Sequence, residues 1–144
     1  MTPKVNIHNT IRGTRVPRSR VGKLAEIVLR GEKRRQSVNI VFIEDNEMRK
    51  INQQFRNKET TTDVLSFSLE EDDDPLLGEI YISIPEARRN AAEQGHSVTE
   101  EIFKLTAHGL LHLCGIHHPT QQKREVMAAK EEKYIAQLKR IVSG

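Results

Sequence analysis

Four histidines fall within eleven residues of this chain, in HGLLHLCGIHH from His108 to His118, a stretch with no acid, lysine or arginine although the chain is 30% charged. An α-helix turns about 100° per residue, so His108 and His112 stand one turn apart on one face. Two imidazoles so placed can grip one metal ion. Gly115 can stop the helix and fold the chain back, so that His118 reaches the same ion from another direction. A lone buried histidine is more often a hydrogen-bonded core residue, but two at this spacing with a glycine stop and a third form a ligand pattern.

That pattern, H-x-x-x-H-x-x-G-x-x-H, is the ligand skeleton of the metzincins. Imidazole nitrogen suits zinc best, with nickel, copper and iron as alternatives. Three neutral protein ligands leave one tetrahedral position open, the feature that separates catalytic from structural zinc. Cys114 points about 200° away from His112 around the helix and reads as a small core residue. His117 is a competing ligand, but the spacing from the glycine favours His118 and leaves His117 a supporting or substrate-facing role. Metzincins place a glutamate directly after the first histidine as general base; here that residue is Gly109. The nucleophile must then be activated by the metal alone or by a group from elsewhere, which weakens a peptidase reading.

A second stretch, FRNKETTTDVLSFSLEE from Phe55 to Glu71, puts Arg56, Lys58 and three threonines ahead of a short strand. An arginine fork and hydroxyls are good phosphate partners, although threonines before a strand are more often turn and strand formers.

The elements that must position these residues follow from periodicity. Alternation predicts strands at Val5 to His8, Val38 to Ile43, Asp63 to Phe67 and Gly78 to Ile84. Helical patterns cover Arg18 to Arg30, Asp45 to Phe55, Pro85 to Gln94, Ser97 to Cys114 and Thr120 to Ile141. Ser97 with Glu100 forms a capping box at the start of the histidine helix. Past Lys104 the only polar side chains before Gly115 are Thr106, His108 and His112, so that half should be buried. Met127, Tyr134, Leu138 and Ile141 make one apolar stripe on the last helix. The acidic run EEDDDP, Glu70 to Pro75, reads as a loop. With no repeat or linker, residues 1–144 are expected to form a single α+β domain: a small four-stranded mixed sheet packed with about five helices, one carrying the histidines in metzincin fashion.

The totals bound the partners. There are 23 basic and 20 acidic residues, for a net charge of +3, and the mean hydropathy is −0.59. Nothing approaches the roughly 18 apolar residues of a membrane span, so no membrane partner is expected. A single cysteine and no apolar leader point to a reducing, cytoplasmic compartment. From Met1 to Ala25 every charged side chain is basic, and a second basic knot follows at Lys33, Arg34 and Arg35. Such clustering suits a polyanion. With 4% aromatic residues and no tryptophan, base stacking cannot be the main grip.

Taken together, FRNKETTTDVLSF, LGEIYIS and HGLLHLCGIHH resemble the YbeY family, the bacterial metal-dependent endoribonucleases of ribosomal RNA maturation. The resemblance runs through most of the chain and is most specific in the histidine segment. It implies His108, His112 and His118 as ligands of one zinc ion and Arg56 as the catalytic or substrate-orienting arginine. It also implies single-strand-preferring cleavage of ribosomal RNA, with the ribosomal subunit as a partner. Two departures stand out: His117 where the family usually has aspartate, and Glu79 where it usually has aspartate. The competing readings are a zinc peptidase with a remote base, and an RNA- or ribosome-binding factor in which metal only stabilises the fold.

Overall fold

The computed structural model describes residues 4–56, 63–68, 76–116 and 120–143, with the backbone alone at positions 55, 56 and 143. Four strands, β1 (Val5–Asn9), β2 (Ser37–Ile43), β3 (Val64–Ser68) and β4 (Leu76–Ser83), form one sheet in the order β1-β2-β4-β3. β1, β2 and β4 run parallel, and β3 pairs antiparallel with β4, Ser66 opposite Ile80. The helices are α1 (Arg18–Gly31), α2 (Asp45–Arg56), α3 (Ile84–Gln94), α4 (Val98–Leu113) and α5 (Gln121–Ser143). This is the expected mixed α+β architecture, and the two acidic and threonine-rich segments at 57–62 and 69–75 lie outside the described residues. Among those described, no helix is long and apolar enough to cross a membrane.

The alternation of each strand sorts its side chains between two environments. Val38, Ile40, Phe42, Ile80 and Ile82 face the main core, shared with α1, α4 and α5. On the opposite face α2 covers a small cluster of Ile43, Met48 and Leu65. Beyond it a polar row crosses three strands: Asn6 donates to Asn39, and Asn39 donates to Glu79 at 3.2 Å. Glu79 also accepts from Tyr81, so its carboxylate belongs to this far face of the sheet.

α4 is sunk deepest of the helices against the sheet, and its ends are both marked in the sequence. The Ser97 hydroxyl accepts from the Glu100 backbone N–H at 3.1 Å, as a capping residue should, while the Glu100 carboxylate reaches Lys139 on α5 at 2.8 Å. At the other end Gly115 adopts φ +90. The Ile116 N–H bonds back to the Leu111 carbonyl and the Gly115 N–H to that of His112, both at 3.0 Å, the paired bonds of a Schellman stop. Midway, a Cβ at Gly109 would stand 2.9 Å from Ile80 Cγ2. The lack of a side chain there lets α4 approach β4 and β3 closely, and Ser66 donates to the Gly109 carbonyl at 3.3 Å.

One expectation for α5 is corrected. Met127, Tyr134 and Leu138 are buried, but Ile141 is 52% exposed. Ile141 lines an open groove with Arg18, Arg20 and Lys23 rather than a packed seam, and the fourth member of the buried stripe is Glu131.

Candidate metal centre

His108 and His112 come together as the helical spacing requires. Their Nε2 atoms are 3.1 Å apart, and the rings meet edge to face with centroids 4.6 Å apart. Two nitrogens bound to one tetrahedral zinc at about 2.0–2.1 Å stand about 3.3 Å apart, so the pair is set at ligand separation. Both rings are half-buried on a helix otherwise enclosed from Leu105 to Leu113. Among the described residues no group of three candidate ligands converges. His118, the expected third ligand, and its neighbour His117 lie outside the described residues. Arg56 is the last residue of α2, and its side chain is likewise outside them.

A residue that the sequence reading missed completes this part of the site. Glu131 Oε2 lies 2.7 Å from His108 Nδ1, bringing α5 to the ring on the side away from His112. The signal was present: Glu131 is a charged residue four after Met127 and seven before Leu138, on a stripe whose other members are buried. Glu101 was also missed. It is 2% exposed, holds His96 Nε2 at 2.7 Å and accepts from Asn90 at 3.3 Å. Asn90 in turn donates to Asp63 at 3.1 Å. Glu101, Leu105, His108 and His112 follow one another at four, three and four residues, a single helix face, so the spacing would have placed this carboxylate beside the histidines.

His108 opens onto a cleft of about 340 Å³ that is also lined by Asp63, Asn90, Glu101, Lys104 and Glu131. A groove of about 510 Å³ continues from Lys104 and Glu131 between α4 and α5. At the far end of α4, Arg34 donates to the Cys114 carbonyl at 3.2 Å. That bond seats the second basic knot, with Lys33 and Arg35 exposed, two residues beyond His112. Cys114 itself packs half-buried against the core. Burial pushes its thiol up to about 11 against the opposing pull of Arg34, which makes it an inert packing residue.

Comparison with known proteins agrees with this layout. The family profile for Endoribonuclease YbeY matches residues 6–139. The chain belongs to the YbeY family. A protein named Endoribonuclease YbeY from Desulforamulus reducens is 46% identical over 109 residues, covering 70% of this chain and 71% of that relative. One of the same name from Carboxydothermus hydrogenoformans is 38% identical over 119 residues, covering 82% and 83%. The solution structure of TM1509 from Thermotoga maritima matches with a TM-score of 0.70 at 32% identity, over 94% of this chain and 89% of that one. YbeY membership thus joins the histidine helix and the four-stranded sheet in one known fold.

Proposed function

We propose that this YbeY family member is a zinc-dependent endoribonuclease that cuts single-stranded regions of ribosomal RNA during ribosome maturation. The observation that carries the reading is the convergence of His108 and His112 Nε2 at 3.1 Å, in a chain whose relatives bear the name endoribonuclease. His108, His112 and His118 would hold the metal. When bound, such an ion supplies Lewis acidity at the phosphoryl group and makes a water nucleophile available near neutral pH.

The remaining work falls to the chain. Arg56 would orient the scissile phosphate and stabilise the charge that builds on its oxygens, an effect typically worth about 3 kcal/mol. The cleft beside His108 would receive the flanking nucleoside, because its carboxylates repel phosphate and accept from sugar and base donors. Lys33 and Arg35, beyond the end of α4, would hold the phosphate backbone. The ribosome would then provide the choice of cleavage site, since few aromatic residues are available to read bases.

The packing at Gly109 weighs against the peptidase reading. A glutamate there, where metzincins carry their base, would collide with Ile80. The distinguishing experiment combines metal analysis with cleavage of structured and unstructured RNA by wild type, His112→Ala and Arg56→Ala. The expected result is one zinc per wild-type chain, metal and cleavage lost together in His112→Ala, and metal kept but cleavage reduced at least 100-fold, roughly, in Arg56→Ala. Equal RNA cleavage by all three would overturn the assignment.

A further inference from the structure

Glu131 is a carboxylate in a position built for apolar side chains. Met127, Tyr134 and Leu138 share its stripe and are buried, and Glu131 itself is only 7% exposed. Burying an ionised carboxylate is unfavourable unless hydrogen bonds replace its water. Its partner here is His108 Nδ1 at 2.7 Å. A carboxylate can only accept, so this bond keeps the ring proton on Nδ1. In the neutral imidazole the lone pair then sits on Nε2, the nitrogen 3.1 Å from His112 Nε2.

We infer that Glu131 is the positioning residue of the metal site, fixing from α5 the tautomer and ring orientation in which His108 offers its lone pair to the ion. The inference rests on the metal-binding reading above and adds a residue 23 positions downstream of the histidine it acts on. It makes the site a two-helix device. α4 supplies the two described donors, while α5, seated through Met127, Tyr134 and Leu138, determines which nitrogen of the first one is available. The alternative, that Glu131 merely ties α5 to α4, predicts the same contact but no effect on the ion. Carboxylates that orient a ligating imidazole typically contribute 10–100-fold, roughly, to metal affinity.

Zinc dissociation constants, measured by competition with a chromophoric chelator, and the visible absorption of the Co²⁺-loaded protein separate the two roles. The proteins are wild type, Glu131→Gln, Glu131→Ala and, as a control, Tyr134→Phe, which removes a different α5 hydrogen bond, the one to Glu32. Thermal melts of the metal-free forms record any loss of packing. Expected are zinc binding weakened about 10–100-fold in Glu131→Ala, a smaller loss with an altered Co²⁺ spectrum in Glu131→Gln, and wild-type affinity in Tyr134→Phe whatever its melting temperature. Wild-type zinc affinity and Co²⁺ spectrum in both Glu131 variants would overturn the inference while leaving the metal site standing. A wild-type protein that binds neither ion would overturn both.

Discussion

A Cβ at position 109 would stand 2.9 Å from Ile80 Cγ2 and 3.1 Å from Ser66 Oγ, and that crowding comes from the strands against which α4 carries its histidines. Ile80 is fully enclosed, so it has little room to yield. Gly109→Ala gains about 1 kcal/mol in helix propensity but overpacks a core contact, at about 1–3 kcal/mol. A net destabilisation of about 1 kcal/mol is therefore expected in urea unfolding of the metal-free protein. A more stable variant would mean that the sheet gives way easily and that the close approach is not tight. The same reasoning explains why a longer side chain such as glutamate has no room directly after His108. Among the acids in the cleft, Glu131 is engaged by His108 and Glu101 by His96 and Asn90.

At the scale of elements, α5 is held to two others by carboxylates, one at each seam. Glu131 faces α4. Glu32, just past α1, accepts from Lys130 at 3.0 Å and from the Tyr134 hydroxyl. Burial alone would push the Glu32 carboxyl up, but the hydrogen bonds from Tyr134 and Lys130 and the charges of Lys130 and Lys133 outweigh it. The group therefore sits below its ordinary 4.5. Burial and the Glu32 carboxylate raise the Tyr134 hydroxyl in turn, so it stays a donor. A carboxyl whose folded value is depressed contributes stability that is fully present above its unfolded value. That stability is lost as pH falls through the lower, folded value. The α1–α5 seam is accordingly expected to hold at neutral pH and to weaken in acid below about 4.5. Urea midpoints followed from pH 7 downward should fall more steeply for wild type than for Glu32→Gln. Parallel curves would show that the pair contributes nothing to pH dependence.

For the whole molecule, the fold divides the cations that the sequence shows as one basic third. Arg18, Arg20 and Lys23 line a groove at the β1 edge, whereas the candidate site lies toward β3, the opposite edge of the sheet. Lys33 and Arg35 flank the residue that Cys114 anchors, close to the end of the histidine helix. Lys33 even takes a left-handed backbone conformation, φ 61, to make that turn, a geometry that costs a non-glycine residue about 1–2 kcal/mol. Binding to single-stranded RNA should weaken steeply with salt, and each phosphate contact removed should flatten the log–log slope by about 0.7. Neutralising Lys33 and Arg35 is expected to flatten it more than neutralising Arg18 and Lys23, as read by fluorescence anisotropy at several salt concentrations. An equal change would indicate that RNA also follows the β1 edge.

What the sequence determined by itself is whatever local periodicity controls. Strand alternation, the Ser97 cap, the Gly115 stop and the turn-apart spacing of His108 and His112 all depend on neighbours within a few residues, and each appears in the structure, although the strand expected to run to Ile84 ends at Ser83, whose hydroxyl caps α3. The length of the useful stripe on α5 was not legible in this way, because Ile141 continues the period but faces an open groove instead of packed neighbours. Only the tertiary structure decided which distant groups share an environment. It put Glu131 of α5 on His108 of α4, tied Asp63 through Asn90 to Glu101, parted the basic residues between the β1 edge and the end of α4, and set Ile80 against Gly109. Burial and hydrogen bonding across elements depend on how helices seat on the sheet, and residues that look like an ordinary solvated acid or a weak helix former in one dimension acquire their chemistry from that seating.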